Sequence, residues 1–233
     1  MADKDKRLFA LDIVGGVLID SPSEVRIMDI TCDEDYEAYI YRCIPISPRS
    51  ASAFFRKYSK RRQYLEEATP RGFHKAILIF KGDVVGQIEY APAEASGLPI
   101  SGEDITVMNC IWVLRRAKGY HFGRLLMSYM MESEPQATGF ATLALEGHTS
   151  PWLRKEQMEY LGFKPVDSVR MRHKTKRSDV CFETHLMWLP RLLEAKPPSW
   201  DKDKLLEGVS FCMAHPLYHP ETLKTMKQIY ERC

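Results

Sequence analysis

The sequence predicts an α/β (α+β) fold, built on one mixed sheet with helices on its faces. Short apolar or alternating runs typical of strands follow one another, and segments with helical spacing separate several of them. The chain has 233 residues, enough for one substantial core or for one domain with a small appendage. With 45% hydrophobic and 27% charged residues, the composition is that of a globular protein.

The first half of the chain predicts a strand, two helices and a β-hairpin. Residues 24–30, EVRIMDI, have the apolar density of a strand. Residues 33–42 predict a short helix behind an aspartate cap, and residues 50–67 place their apolar side chains on one helical face. The runs KAILIF and VVGQIEY flank KGD, whose glycine suits a tight turn, so residues 75–90 predict a hairpin.

The second half predicts alternating strands and helices and then a C-terminal tail. The predicted elements, in chain order, are a strand at 104–113, a helix at 121–133, a strand at 139–145, a helix at 153–160 ending before Gly162, and strands at 163–171 and 180–188 joined by a basic loop. Residues 195–204 are typical of a linker, followed by a possible strand at 208–214 and a helix at 221–232. The strand–helix–strand unit from 106 to 145 predicts a right-handed crossover.

The net charge, the apolar runs and the cysteines argue against several classes of protein. The formal net charge of +2 gives no support for nucleic-acid binding, and no apolar run approaches the roughly 20 residues of a membrane helix. The N-terminal segment loosely resembles a signal peptide, but Asp12 interrupts its apolar part and no cleavage site follows. The six cysteines are scattered and several lie in apolar runs, so we expect reduced, buried thiols in a cytoplasmic protein.

The stretch KGYHFGRLLM, residues 118–127, follows a predicted strand and contains the start of a predicted helix. A helix N-terminus offers unpaired N–H groups and partial positive charge, and glycines let a phosphate approach the backbone. Lys118 and Arg124 add full charges. The alternative is a plain turn with a solvated lysine; a P-loop is excluded because no Gly-Lys-Ser/Thr follows.

This stretch resembles the pyrophosphate-binding signature [Q/R]-x-x-G-x-[G/A] of the GNAT superfamily of acetyltransferases. Lys118 stands at the arginine position, His121 at the first glycine and Gly123 at the second. The order of elements and the run YLGFKPV are also similar to that superfamily. GQIEYAPAE, MNCIWV and GFKPVDS look like its YoaP-like branch. The resemblance covers residues 24–190, which leaves an N-terminal extension at 1–23 and a C-terminal appendage at 191–233.

The resemblance implies the GNAT fold, with a mostly antiparallel sheet, helices on both faces and splayed central strands. It implies acetyl-CoA as the acyl donor, with the backbone of Ile111, Trp112 and Val113 against the acetyl group and pantetheine arm. The residues that it assigns to the pyrophosphate are Lys118, Gly119, Tyr120, His121, Phe122, Gly123 and Arg124. Lys118, in place of arginine, keeps the charge but loses the planar guanidinium fork. The sequence departs from the superfamily more seriously at two further positions.

The first departure is His121, which could crowd the pyrophosphate or bind it as a cation. The second is Met158, at the position where the superfamily often has a tyrosine that protonates the CoA thiolate. Tyr160 is two residues further on and is expected to face elsewhere on the helix. The general acid is therefore displaced, replaced by water or absent.

Three residues are candidates for the base that deprotonates an amine. Glu89 is the first choice, since it lies in the strand before the cofactor strand and a cleft could receive its carboxylate; the alternative is a surface residue of an alternating strand. Glu146 and His148 end the next strand, where sites form in open α/β sheets. Cys110 is expected in the core, because nothing nearby marks an activated thiolate.

Two further segments have less specific patterns. RKYSKRR, residues 56–62, predicts a solvated basic helix surface, although it could attract acidic substrates or the adenosine 3′-phosphate. Cys212, His215 and His219 have C-x2-H-x3-H spacing, but only three ligands are local and a proline follows each histidine, so no metal is expected. The segment also resembles, in degenerate form, the strand and turn that begin the thioredoxin-like tail of some YoaP-like proteins, but it lacks the redox cysteine pair.

The resemblance implies an acetyl-CoA-dependent N-acetyltransferase, in which an acceptor amine attacks directly in a ternary complex. One alternative is a catalytically degenerate GNAT-fold protein that binds acyl-CoA or regulates another protein. Another is a metal-binding or redox module at the C-terminus, with the domain as its scaffold. The expected partners are acetyl-CoA and an amine-bearing acceptor, without nucleic acid or membrane; monomer and homodimer both stay open.

Overall fold

The computed structural model describes residues 24–41, 59–148, 153–174, 179–206 and 230–233. The strands of these ranges are β1 (Val25–Asp29), β2 (His74–Phe80), β3 (Asp83–Pro92), β4 (Ile100–Ser101), β5 (Ile105–Val113), β6 (Gly139–Glu146), β7 (Lys164–His173), β8 (Cys181–Pro190), β9 (Ser199–Trp200) and β10 (Tyr230–Arg232). The α-helices are α1 (Glu37–Ile40), α2 (Ser59–Ala68), α3 (Phe122–Ser133) and α4 (Lys155–Tyr160). The predicted extension at 1–23, the strand at 208–214 and the start of the helix at 50–67 lie outside the described residues.

Local chemistry accounts for the ends of several elements. In the β2–β3 hairpin, Lys81 and Gly82 have φ angles of 53° and 82°, the positive values that a tight two-residue turn requires. The Asp33 carboxylate accepts a hydrogen bond from the N–H of Asp35 and caps the short helix that leads into α1. Gly162, with φ of 100°, follows α4 and ends it. These predicted boundaries are confirmed.

The main sheet has eight strands in the order β1-β2-β3-β5-β6-β8-β7-β10. Neighbouring strands pair antiparallel except β5 and β6, which are parallel. Antiparallel neighbours can be joined by short turns, whereas the parallel pair needs a crossover, and α3 supplies it. The predicted mixed, mostly antiparallel sheet is therefore confirmed.

Helices cover both faces of the sheet. On one face, Leu126 and Met130 of α3 and Met158 of α4 join a core that includes Ile88 of β3 and Ile111 of β5. The other face carries a second core, in which Leu65 of α2 packs with residues of β2 and β3 such as Ile77 and Ala91. Adjacent residues of a strand thus belong to opposite cores, as the two-residue period of a strand dictates.

The C-terminal part differs from its predicted structure in two places. The segment 195–204, predicted as a linker, contains β9, which pairs with β4 in a separate two-stranded sheet. Residues 230–232, predicted as the end of a helix, form β10 instead and pair with β7 at the edge of the main sheet. Strands of two or three residues are too short to show a period, so sequence patterning could not identify them.

A disulfide joins Cys181 at the start of β8 to Cys233 after β10. The expectation of reduced thiols is therefore wrong for these two cysteines. Cys110 is buried and not disulfide-bonded, as predicted for a core residue, and Cys32 is exposed. The pairing was not predictable because the two cysteines are 52 residues apart and their approach depends on where β10 docks.

Cys233→Ser should lower the free energy of unfolding by about 2–4 kcal/mol, because the disulfide restrains a long loop in the unfolded chain. Urea unfolding without reductant measures the loss, and dithiothreitol should bring the wild type to the same midpoint. Cys32→Ser is the matched control and should change little. An unchanged midpoint for Cys233→Ser without reductant would contradict a structural disulfide.

No helix within the described ranges is both long and apolar enough to span a lipid bilayer.

Candidate functional site

The central feature of the sheet is an opening between β5 and β6. These strands pair only where Ile105–Val107 meets Gly139–Ala141. Beyond that point β5 stays paired with β3 as far as Val113, and β6 stays paired with β8 as far as Glu146. The two strands therefore diverge, and the predicted splay beside residues 109–113 is confirmed.

The Thr142 hydroxyl donates a hydrogen bond of 2.8 Å to the carbonyl of Met108, just past the last paired residues. This side-chain bond fixes the point at which the strands part. Further along, the edge of β5 that faces β6 presents backbone groups with no ladder partner in the described part of the chain. Such an edge can pair with an extended ligand as it would with another strand.

A cavity of about 610 Å³ lies on the α3 and α4 face, between the end of β5 and these helices. Its walls are formed by residues 111–113, the start of α3 with the loop before it, and α4. Eight of the ten predicted cofactor residues line it, namely Ile111, Trp112, Val113, Lys118, Gly119, His121, Phe122 and Gly123. The remaining lining residues are Ala117, Arg154, Glu156, Gln157, Met158, Tyr160 and Leu161.

The loop before α3 borders this cavity and has backbone N–H groups that are not used in the helix. Gly119 has φ of 95°, and His121 immediately before the helix has φ of 55°. The N–H groups of residues 119–123 make no backbone hydrogen bond within the described ranges, whereas that of Arg124 already bonds to the His121 carbonyl. A helix start with unpaired donors and a left-handed residue is an anion-binding nest.

The two glycines of the loop act differently. A Cβ on Gly119 would meet nothing within 4 Å, but its positive φ disfavours any other residue. A Cβ on Gly123 would meet only the Leu161 side chain at 3.6 Å, and its φ is ordinary for a helix. The folded protein therefore has room for a Cβ at position 123, and a ligand bound in the cavity is what would exclude it.

His121 adopts the left-handed conformation that the glycine of the family signature would favour. Its Nδ1 lies 2.8 Å from the Tyr160 hydroxyl, so its ring is held by the end of α4. The Arg124 guanidinium lies over the Tyr160 ring, 4.4 Å from its centroid. These three side chains join the start of α3 to the end of α4 at the rim of the cavity.

Tyr120 and Arg124 are the two predicted cofactor residues outside the cavity wall. Tyr120 is 40% exposed and stacks on Phe122, with ring centroids 5.3 Å apart. It also contacts the ring of Phe80 in β2, which fixes the outer side of the loop. Arg124 reaches the site through Tyr160, so it can add positive charge at the rim without touching the nest.

The expectation that Tyr160 faces away from the site is wrong. Met158 and Tyr160 both line the cavity, since α4 has only six residues and its final turn points into the space. Met158 is 2% exposed and belongs to the core, so the position of the family's tyrosine carries no proton. Tyr160 lies beside His121, at the nest end of the cavity rather than at the strand opening.

The expectation that the Glu89 carboxylate faces a cleft is also wrong. Glu89 is fully buried, and Arg61 of α2 donates two hydrogen bonds to it, at 3.2 and 2.9 Å. The Lys75 ammonium lies 3.4 Å from the same carboxylate. Arg61, predicted on a solvated basic surface, is fully buried too, whereas its neighbour Arg62 is exposed. A carboxylate enclosed by two cations is a structural charge cluster, not an accessible base.

Glu146 lies at the end of β6 in a network of ion pairs. Lys155 donates a hydrogen bond of 2.9 Å to its Oε2, and His185 Nε2 lies 2.8 Å from the same oxygen. The bond from Lys155 and then that from His185 hold the pKa of Glu146 below its ordinary value. Glu146, Glu183 and His185 could together ligate a cation, but the Lys155 ammonium already supplies positive charge there.

His148 lies away from the cavity, against the β7, β8 and β10 end of the sheet. Its Nε2 is 3.1 Å from Nε2 of His173, and its ring packs edge-on against Phe182. Burial lowers the pKa of His148, and the neighbouring His173 lowers it further. The three predicted bases therefore lie in three separate environments, and none of them lines the cavity.

No protein-family model and no curated protein matches this chain. Comparison of the fold with solved structures finds acetyltransferases. A protein assigned to the GNAT family, from Desulfovibrio desulfuricans, has 14% identity and a TM-score of 0.47 over 71% of this chain and 98% of that chain. The ribosomal-protein-S18-alanine N-acetyltransferase of Escherichia coli has 13% identity and a TM-score of 0.46, over 74% and 97%.

An acetyltransferase of Bacillus subtilis, solved with CoA, has 12% identity and a TM-score of 0.43, over 72% of this chain and 99% of that chain. At these values the similarity assigns no activity to this chain. Its function has to be inferred from the geometry of the opening and the cavity.

Proposed function

We propose that the protein is an acetyl-CoA-dependent N-acetyltransferase, in which an acceptor amine attacks the thioester directly in a ternary complex. One observation carries the proposal: a single cavity joins an anion nest at the start of α3 to the unpaired edge of β5 at the opening of the sheet. Acetyl-CoA has the matching parts, a pyrophosphate at one end and an amide-bearing arm that leads to the thioester.

The nest suits the pyrophosphate because its donors are backbone N–H groups that have no backbone partner within the described ranges. Lys118 lines the same end of the cavity and adds a charge. The pantetheine amides can pair with β5 beyond Val107, where β6 no longer does. The acetyl group would then lie in the opening, beside the backbone of residues 108–113.

In the reaction, the amine nitrogen attacks the thioester carbonyl carbon, and the carbon–sulfur bond breaks to release CoA. A backbone N–H of β5 can stabilise the negative charge that develops on the carbonyl oxygen. Holding the two reactants together supplies most of the acceleration. With Glu89 enclosed and Met158 carrying no proton, we assign the proton transfers to water rather than to a side chain.

Acetyl-CoA titrated into the protein by calorimetry should bind with one site per chain, more weakly at higher salt. Lys118→Ala should weaken binding by about 1–2 kcal/mol, the contribution of one charged hydrogen bond, since most contacts are made by the backbone. Lys174→Ala, in the β7–β8 connection, is the control. Absence of binding by the wild type would contradict the proposal.

The buried Met158 and the enclosed Glu89 favour a second candidate, an acyl-CoA-binding protein without catalysis. Both candidates predict that acetyl-CoA binds in the cavity. Release of the CoA thiol with a panel of amines separates them, because only the enzyme produces free thiol faster than acetyl-CoA hydrolyses.

A further inference from the structure

On the face of the sheet that carries α2, two hydrogen-bond donors are buried without partners in the part of the chain that the structure describes. They are Nε2 of Gln87 in β3 and Nε1 of Trp112 in β5. Gln87 is 1% exposed and Trp112 is 5% exposed. Folded proteins leave few buried polar atoms unpaired, because each such atom loses its hydrogen bonds to water without gaining one in the protein. Two adjacent examples therefore call for a reason.

The two donors are neighbours in the sheet. Gln87 and Trp112 are directly opposite each other in the β3–β5 ladder, which places side chains on one face about 4.5–5.5 Å apart at Cβ. The next pair on the same face is Glu89 with Cys110. Ile111, which lies between Cys110 and Trp112, belongs to the core on the α3 side. Cys110 and Trp112 therefore point to the opposite face.

A third unpaired atom lies on β5, the strand of Trp112, and is an acceptor. Asn109 is 1% exposed and lies at the irregularity in the β3–β5 register. Its Nδ2 donates a hydrogen bond of 2.6 Å to the Ser96 carbonyl, while its Oδ1 has no partner among the described residues. β5 thus offers one unpaired acceptor and, further along, one unpaired donor that lies beside the donor of Gln87 in β3.

The opening places these atoms within reach of the reaction. Beyond Val107 no strand in the described part of the chain pairs with the β6 side of β5, so a group bound in the gap would lie beside side chains of both faces of β5. In the proposed function, the acyl donor fills the cavity on the α3 side. The acceptor must then come from the opposite face, which carries Gln87, Asn109 and Trp112.

We infer that Gln87 and Trp112 bind a carbonyl-type oxygen of the acceptor, a carboxylate or an amide, and that Asn109 receives an N–H of its amine. Two N–H donors select an oxygen that only accepts, and a carbonyl oxygen on the acyl acceptor is such a group. The acceptor class is therefore an amine with a carbonyl nearby, as in amino acids, their amides and peptides. This inference rests on the proposed function.

Matched acceptors test it: L-tyrosine, L-tyrosinamide and tyramine share a side chain and differ only in the carbonyl group, and the same trio can be built on phenylalanine and lysine. With saturating acetyl-CoA, thiol release should show kcat/KM at least about tenfold higher for a carbonyl-bearing member than for the decarboxylated amine, the value of one good hydrogen bond. The better of acid and amide identifies which oxygen is bound.

Gln87→Met removes one donor and keeps the bulk of the side chain, and Trp112→Phe removes the other donor together with one ring of the indole. Each should erase about tenfold of the preference. Gln87 does not line the cavity, so Gln87→Met should also leave acetyl-CoA affinity unchanged, and it should keep or raise the Tm because an unpaired buried donor is gone. Thr184→Val is the matched control: Thr184 is also buried with an unpaired hydroxyl, but it lies in β8. It should keep or raise the Tm and leave the preference intact.

A preference that persists in Gln87→Met and Trp112→Phe as it does in Thr184→Val would overturn the subsite while leaving the acetyltransferase assignment in place. So would wild-type protein that binds acetyl-CoA and accepts only the decarboxylated amines. Wild-type protein that binds no acetyl-CoA would overturn the proposed function and this inference with it.

Discussion

Gly123→Val should abolish measurable acetyl-CoA binding, a loss of at least about 100-fold, while the protein stays folded. In the free protein the new Cβ would meet only the Leu161 side chain, at the ordinary contact distance of 3.6 Å. In the complex, the same space lies where the pyrophosphate approaches the backbone N–H groups at the start of α3. A loss of 100-fold corresponds to about 2.7 kcal/mol, the result of displacing the phosphate from its donors.

Calorimetric titration and a melting curve measure the two halves of this expectation. Ser128→Val is the matched control, because it introduces the same side chain at an exposed position of the same helix. It should bind acetyl-CoA as the wild type does. Unchanged affinity in Gly123→Val would mean that the loop is only a turn; a large fall in Tm would mean that the glycine serves folding instead.

Glu89→Gln should destabilise the protein by about 3–5 kcal/mol, the largest stability effect expected here. The substitution keeps the shape of the side chain but removes the negative charge that faces the buried Arg61 and Lys75. Arg61→Met combined with Glu89→Gln should recover part of the loss, because it removes one of the two cations as well. Urea unfolding measures the three variants.

The exposed ion pair between Asp83 and Arg116 provides the comparison. Its atoms are 3.1 Å apart, close to the Arg61–Glu89 distance, but both side chains are more than half exposed. Asp83→Asn should cost no more than about 1 kcal/mol. Similar losses for Asp83→Asn and Glu89→Gln would contradict a buried charge cluster. A stable Glu89→Gln that binds acetyl-CoA but transfers no acetyl group would restore Glu89 as the base.

Much of the sheet could be predicted because its strands are long enough to show their patterns. The runs at 75–80, 84–90 and 104–113 are dense in β-branched and apolar residues, and turn residues bound them. Which strands would part was not visible in any pattern and came only from the family resemblance. The resemblance also located the loop at 118–124. A basic, glycine-containing loop before a helix can bind an anion even when one of its usual residues is replaced.

The catalytic side chains could not be predicted, because alternation along a strand identifies two faces but not what covers each. Glu89 lies beneath Arg61 from a helix 28 residues earlier, a contact that no local pattern records. Tyr160 lines the cavity because α4 ends within it, which depends on the docking of the helix and not on its period. The unpaired donors of Gln87 and Trp112 were likewise invisible, since being unpaired is a property of the packed structure.

A crystal structure of the protein with acetyl-CoA tests the central claim most directly. We predict that pyrophosphate oxygens lie within hydrogen-bond distance of the N–H groups of residues 119–123. We also predict that the pantetheine arm pairs with β5 and that the acetyl group lies in the gap between β5 and β6. Acetyl-CoA bound elsewhere, or a gap closed by pairing of β5 with β6 along its length, would contradict the account.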